Sequence, residues 1–287
     1  MSPPSSGVLT AARAATGGHA AIDQSYRSRV ALLHVHQLGT PTGPPILAIH
    51  GITAHGQRFR RLAEEAWPER HTVAVDLRGH GRSLSDGPWN IGQHVADLVD
   101  TLDSHGLSTV DVVGHSYGGV IGLALLAMHP QRVARLVMLD PAFALAPDTA
   151  NQRAAESIAD PGYGSVQEAT IGRNDGLGDA INPAVIEDVA AHLVQDPDGR
   201  FRFRFHRPAV IAGWGELCTP LPPIAHPRPA LLVVAEKAGI VKPAVEKALA
   251  DLFGDQLKTE RIDCGHMLYW ERFDETAAAV KDFFART

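Results

Sequence analysis

Residues 110–128 read VDVVGHSYGGVIGLALLAM, and the fold can be inferred from this stretch. It begins with apolar, β-branched residues, passes through the pentapeptide GHSYG at residues 114–118, and ends in a strongly apolar run over residues 120–128. This pattern is typical of a buried strand that turns sharply into an apolar helix. Small residues two positions before and after Ser116 prevent collisions with the neighbouring strand and helix. We therefore expect Ser116 at the corner, with its hydroxyl lifted clear of the sheet.

Short apolar runs alternate with helical patterns on both sides of this turn. Before it, strands are predicted over residues 29–37, 46–49 and 72–75, and helices over residues 57–67 and 92–103. After it, a strand is predicted over residues 136–139, followed much later by strands over 231–235 and 259–262 and helices over 243–253 and 270–284. Strands of four or five apolar residues that alternate with longer helices indicate a mostly parallel sheet covered by helices on both faces.

The alternation fails over residues 141–229, where proline and glycine breakers are frequent and one helix is predicted at residues 183–193. We interpret this stretch as a mainly helical cap inserted into an α/β core of residues 25–140 and 230–287. A cap in this place would cover the carboxyl edge of the sheet, where open α/β sheets bind ligands. Residues 1–24 are small and polar and are predicted to form a flexible arm.

Composition excludes several other classes of protein. The chain has 287 residues, with 26 Lys and Arg against 32 Asp and Glu, and a formal net charge of −6. This balance argues against a nucleic-acid partner or an anionic membrane partner. Two cysteines exclude a disulfide scaffold, and no apolar run is long enough for a membrane span. The expectation is a cytoplasmic protein that binds a small molecule; the sequence does not decide whether it forms a homo-oligomer.

Ser116 at a strand-to-helix corner is a candidate nucleophile, and the alternative is a glycine-rich turn with an incidental serine. A serine hydroxyl needs a base within hydrogen-bond reach, and the base needs an acid that orients it. Among fifteen histidines, His266 is the best-placed base, because it follows the last predicted strand and precedes the last helix. That position is at the same sheet edge as Ser116. No metal or cofactor is expected, since the sequence has no His-Glu-x-x-His motif and no Cys/His cluster.

The order of several short motifs resembles that of the α/β-hydrolase superfamily. These motifs are His50-Gly51 after a strand, DLRGHGRS at 76–83, GHSYGG at 114–119, LDP at 139–141 and Gly265-His266. The resemblance extends over nearly the whole chain from about residue 29. It implies an α/β-hydrolase fold, Ser116 as nucleophile and His266 as base. It also implies an oxyanion hole formed by the backbone N–H groups of Ile52 and Tyr117.

The acid of the triad departs from the commonest family pattern. The position that aligns with the usual aspartate, after the strand at residues 231–235, is Ala238. Two carboxylates remain near that edge: Asp140, directly after an earlier strand, and Glu236, at the start of the loop. We favour Asp140, because the end of a strand holds an orienting carboxylate more rigidly than a loop does. Glu236 stays open as the alternative.

A serine nucleophile argues against the dehalogenase and epoxide-hydrolase branches, which need a carboxylate nucleophile. We therefore expect a hydrolase of carboxylic esters, or of lactones or thioesters, that acts through an acyl-enzyme on a small, largely hydrophobic substrate. The same triad also supports C–C bond hydrolysis and perhydrolysis, and a third alternative is a non-catalytic ligand-binding protein on this scaffold. The residues expected to line the substrate pocket are His50, Gly51, His115, Phe143, Trp214 and Met267.

Overall fold

The computed structural model describes residues 32–172 and 181–286. Within these residues one sheet has seven strands, namely β1 (Val35–Gly39), β2 (Pro45–Ile49), β3 (His71–Val75), β4 (Val110–His115), β5 (Val133–Leu139), β8 (Ala230–Ala235) and β9 (Leu257–Ile262). Their order across the sheet is β1-β3-β2-β4-β5-β8-β9. Only β1 runs antiparallel to its neighbour within this sheet. The predicted α/β class with a mostly parallel sheet is confirmed.

The sheet is buried on both faces, which explains why its strands are short continuous apolar runs. In β2, Leu47 and Ile49 belong to one apolar cluster, while Ile46 and Ala48 belong to the other. All four are inaccessible to solvent. Successive side chains of a strand point to opposite faces, so each strand contributes to two cores. Burial of both faces is what positions the carboxyl ends of these strands as a rigid platform.

The described helices are numbered α1 to α9 in chain order. In the core they are α1 (Ile91–Ser104), α2 (Tyr117–Met128), α7 (Pro243–Phe253), α8 (Leu268–Glu271) and α9 (Phe273–Arg286). The first ten residues of helix α2 are all buried, and this explains why the helix is apolar around its whole circumference. Asn90 caps the amino end of α1: its side-chain oxygen accepts a hydrogen bond from the Gln93 N–H at 2.8 Å.

Between β5 and β8, the residues that the structure describes form four helices and a two-stranded hairpin. They are α3 (Pro147–Glu156), α4 (Val166–Gly172), α5 (Pro183–His192), the strands β6 (Leu193–Gln195) and β7 (Phe201–Phe203), and α6 (Arg207–Glu216). We refer to residues 141–229 as the inserted segment. Of these elements the sequence predicted only α5. The division into core and cap remains a prediction, and the predicted arm of residues 1–24 lies outside the described residues.

Three predicted elements differ from those observed. The helix expected over residues 57–67 is present but is not a regular α-helix: it consists of a 3₁₀-helix at Gly56–Phe59 and a π-helix at Leu62–Ala66. The helix expected over residues 270–284 is divided into α8 and α9 at Arg272, whose φ and ψ of −139° and 62° are not helical. The first strand begins at Val35, later than expected. In the described part of the chain, no helix combines the length and apolar character needed to cross a membrane.

Candidate active site

Ser116 lies at the corner where β4 ends and α2 begins. Its φ of 54° and ψ of −117° are in a region that residues with a side chain rarely adopt, and holding them there costs about 1–3 kcal/mol. The Ser116 N–H donates to the Leu139 carbonyl at 3.0 Å, which fixes the turn to β5. A Cβ on Gly118 would overlap the Ile49 carbonyl oxygen. The pentapeptide glycine therefore allows the close contact between α2 and β2 that supports the turn.

His266 and Asp140 meet at the same sheet edge. The Asp140 Oδ2 atom lies 2.7 Å from His266 Nδ1, and the Asp140 side chain is completely buried. Its other oxygen, Oδ1, accepts the Ala235 N–H at 3.2 Å. The Asp140 N–H donates to the Val233 carbonyl at 2.8 Å. These contacts hold the carboxylate rigidly between β5 and β8 while the His266 side chain stays partly exposed.

The alternative acid, Glu236, has different surroundings. Its N–H donates to the Ile262 carbonyl at 3.0 Å, and its side chain is exposed to solvent. Ala238 lies in the same tight turn, where its N–H donates to the Ala235 carbonyl at 3.1 Å. The carboxylate in hydrogen-bond contact with His266 is therefore that of Asp140.

The backbone of His266 is held by His115, which is itself held by Tyr269. His115 Nε2 lies 2.9 Å from the His266 carbonyl oxygen, and His115 Nδ1 lies 3.2 Å from the Tyr269 hydroxyl. Because a carbonyl only accepts, Nε2 carries the proton and Nδ1 accepts from the tyrosine. Burial, followed by the nearby charge of His266, lowers the pKa of His115 well below its usual value. His115 is thus a neutral, buried support for the loop, which corrects its predicted place in the substrate pocket.

His50 also has a structural position rather than the predicted one in the pocket. Its ring is buried, Nδ1 donates to the Gly51 carbonyl at 2.7 Å, and Nε2 accepts the Leu77 N–H at 2.9 Å. Burial and the neighbouring His80 keep its pKa well below the usual value. Both ring nitrogens are therefore used in fixing the loop after β2, and neither is left for a substrate.

The loop after β2 passes directly beside Ser116, and the inserted segment closes over it. A Cβ on Gly51 would lie 3.0 Å from the Ser116 Cβ. On the other side, a Cβ on Gly213 of α6 would lie 3.2 Å from Ile52 Cδ1 and 3.7 Å from Tyr117 Cε1. Helix α6 thus covers the two residues whose N–H groups were expected to form an oxyanion hole.

The remaining residues that were predicted to line the pocket differ in how far they are buried. Phe143 and Met267 are 4% and 2% exposed and belong to the two apolar cores, so the structure gives them packing roles. Trp214 of α6 is half-buried, and its indole N–H donates to Ser157 Oγ at 3.2 Å. Tyr269 was not predicted at all, because its partner His115 is 154 residues away in the chain.

Comparison with known proteins identifies the family of the chain. The sequence profile of the Alpha/beta hydrolase family matches residues 46–279. The chain belongs to this family. The lipase LipV of Mycobacterium tuberculosis is 36% identical over 253 residues, which cover 87% of this chain and 96% of the lipase. The N-formylmaleamate deformylase of Pseudomonas putida is 26% identical over 255 residues, which cover 84% of this chain and 88% of the deformylase.

Solved structures support the same fold. The E-2-(acetamidomethylene)succinate hydrolase superposes on this alpha/beta hydrolase with a TM-score of 0.78 at 21% identity, covering 88% of this chain and 95% of the other. The α/β-hydrolase fold is therefore confirmed. The general class of hydrolase is supported by the family match and by the relative named as a lipase. The bond that is cleaved and the residues that cleave it belong to the proposal that follows.

Proposed function

We propose that this alpha/beta hydrolase cleaves carboxylic esters of small, largely hydrophobic substrates through an acyl-enzyme on Ser116. The observation that carries the proposal is the Asp140–His266 hydrogen bond of 2.7 Å at the sheet edge where Ser116 occupies its strained turn. Those three residue types at one edge are the components of a serine triad. The similarity to a protein named as a lipase over most of both chains supports ester chemistry in particular.

The hydrogen bond between Asp140 and His266 determines which ring nitrogen of His266 carries the proton. A carboxylate can only accept, so His266 carries its proton on Nδ1 and leaves Nε2 free as the base. In the proposed reaction Nε2 takes the Ser116 hydroxyl proton as Oγ attacks the substrate carbonyl. It then gives that proton to the leaving alcohol, and a water molecule, activated in the same way, hydrolyses the acyl-enzyme.

The oxyanion formed in each step would be held by the backbone N–H groups of Ile52 and Tyr117. Tyr117 is the first residue of α2, where N–H groups point out of the helix and the helix dipole favours negative charge. The close approach of Gly51 to Ser116 brings the chain just before Ile52 next to the nucleophile. Two donors converging from different elements are the usual arrangement for such a site.

The substrate preference is proposed from the side chains that surround this edge. Ile52, Leu145 and Trp214 pack against the same apolar core and are only partly buried. Two of them, Leu145 and Trp214, come from the inserted segment, and we propose that this segment acts as the cap. Apolar walls with few polar groups suit a small hydrophobic acyl or alcohol group. No cofactor enters the proposed reaction.

Hydrolysis of p-nitrophenyl esters with acyl chains from two to twelve carbons tests the proposal. We expect wild type to turn over the shorter esters, and Ser116→Ala to lose at least about 10⁴-fold in kcat, as for removal of a serine-triad nucleophile. Ser104→Ala, which removes an exposed serine of α1 whose hydroxyl donates to the Thr101 carbonyl, should keep full activity. No hydrolysis of any ester by folded wild type, or equal hydrolysis by Ser116→Ala, would contradict the proposal.

A further inference from the structure

A second cluster of chemically capable side chains lies at the β1 edge of the sheet. Among the described residues, His34, His36 and Asp76 each offer a ligand atom, and these atoms all lie within 4.8 Å of one another. The sequence predicted no metal site, because it has no His-Glu-x-x-His motif and no Cys/His cluster. The third ligand follows from the fold and has no signal in the spacing of the sequence.

Strand pairing explains how the three residues meet. Strand β1 runs antiparallel to β3 with Val35 opposite Val75, and the Asp76 N–H donates to the His34 carbonyl at 2.9 Å. Asp76 is therefore opposite His34, and directly opposite residues share one face of a ladder. His36, two residues after His34, is on that same face. Its own opposite residue is Ala74, whose small side chain leaves room beside the imidazole.

The Asp76 carboxylate is already fixed in place. Oδ1 accepts the Gly56 N–H at 2.7 Å and lies 3.2 Å from His36 Nε2, while Oδ2 accepts the Arg82 N–H at 2.9 Å. Burial alone would raise the pKa of Asp76. Hydrogen bonds from His36 and from the N–H groups of Arg82 and Gly56 outweigh that burial and hold the pKa well below its usual value.

The imidazoles of His34 and His36 are partly exposed to solvent, and not all of their ring nitrogens form hydrogen bonds with described residues. The His36 side chain is 15% exposed, so an ion and its water ligands can reach the cluster from solvent. The ring nitrogens of His34 make no hydrogen bond to any described residue. Burial keeps the pKa of His34 below its usual value, and although the charge of Asp76 acts in the opposite direction, those of His36 and Arg82 lower the pKa further.

We propose that His34, His36 and Asp76 bind a divalent transition-metal ion of the zinc class. The ion would replace the proton shared by His36 Nε2 and Asp76 Oδ1, and a nitrogen of His34 would be the third ligand, with water completing the shell. Two imidazoles and one carboxylate suit Zn²⁺ rather than Mg²⁺ or Ca²⁺, which prefer all-oxygen sites. The bound ion would fasten the segment that begins at His34 to the turn at Gly56 and the loop at Arg82, both of which already bond to Asp76.

Titration calorimetry of the full chain with ZnCl₂ tests the site, with His34→Phe as the decisive variant. Phenylalanine keeps a ring of similar size and removes both nitrogens. Since no described residue forms a hydrogen bond with the His34 side chain, the variant should fold. His129→Phe, at a histidine between α2 and β5 and outside the cluster, is the matched control.

We expect wild type and His129→Phe to bind one Zn²⁺ with equal affinity, and His34→Phe to bind it at least about tenfold more weakly. Saturating Zn²⁺ should raise the melting temperature of wild type more than that of His34→Phe. The absence of a one-site isotherm for wild type, or the same affinity in His34→Phe, would overturn the proposal. The site does not depend on the proposed ester hydrolysis, so either proposal can fail without the other.

Discussion

Replacing Asp140 by Asn should nearly abolish hydrolysis while preserving the fold, and the structure says why. The carboxylate has two partners that differ in kind: Oδ1 accepts the Ala235 N–H, and Oδ2 contacts His266 Nδ1. In the variant, the amide oxygen must face the Ala235 N–H, because an NH₂ group there would oppose another donor. The NH₂ group must therefore face His266. It donates to Nδ1, so the imidazole proton moves to Nε2.

With its proton on Nε2, the imidazole cannot accept one from Ser116. The equivalent change in a serine-protease triad lowers kcat about 10⁴-fold. At 1.36 kcal/mol for each factor of ten, this corresponds to about 5.4 kcal/mol of lost transition-state stabilisation. The side chain is almost isosteric and keeps both hydrogen bonds, so the free energy of unfolding should change by far less than that amount.

The assay is kcat on the best p-nitrophenyl ester, measured beside the melting temperature. Glu236→Gln is the matched control: it makes the same chemical change at the exposed carboxylate, and it should keep wild-type kcat and stability. The reasoning would be refuted by a folded Asp140→Asn variant with more than a tenth of wild-type kcat. It would equally be refuted if Glu236→Gln lost activity and Asp140→Asn did not.

Three further predictions concern the supports of the site. Burial, together with the charges of His80 and Arg78, lowers the pKa of His94 from 6.5 to about 3. Between those two pH values His94 is protonated in the unfolded state but not in the folded state. The free energy of unfolding therefore falls as the pH drops below 6.5. Urea titrations should therefore show wild type losing about 2 kcal/mol more than His94→Phe between pH 7 and pH 5. Tyr269→Phe removes the hydroxyl that donates to His115 Nδ1 and so loosens the loop that carries His266. Steady-state kinetics should therefore show kcat reduced about tenfold, with KM changed less than twofold. Gly118→Ala should lower the urea-measured free energy of unfolding by more than about 3 kcal/mol, whereas Gly215→Ala, with nothing within 4 Å of the added Cβ, should not lower it.

The parts of the fold that could be predicted depend on local pattern. The strand, the strained turn at Ser116 and the buried helix α2 are consecutive in sequence, and each has a strong signal of its own. His266 could be chosen from fifteen histidines because the carboxyl ends of parallel strands meet at one edge. The strands β2 to β5, β8 and β9 were all predicted from short apolar runs between helices.

The inserted segment was harder to predict because its helices bury little. In α3 only Ala150 is buried, so there is almost no apolar stripe to detect. Helix α6 contains Gly213 and Gly215, which lower helix propensity. Gly213 is nevertheless required where α6 passes close to Ile52. In both helices, contacts with the rest of the molecule take the place of a local signal.

Contacts between distant residues also decide the details of the site. The break between α8 and α9 accompanies the hydrogen bond from the Gly265 N–H to Glu271 Oε2 at 2.7 Å, which ties the short helix α8 to the loop of His266. The approach of His34 and His36 to Asp76 likewise depends on the pairing of β1 with β3. No periodicity within a short window contains such information.

Intact-mass analysis after reaction with a fluorophosphonate tests the central claim most directly, because the reagent reports an activated serine without any assumption about the substrate. We predict one adduct on wild type and on Ser104→Ala, and none on Ser116→Ala. An adduct of the same yield on Ser116→Ala, or no adduct on correctly folded wild type, would contradict the assignment of Ser116 as the nucleophile of a working triad.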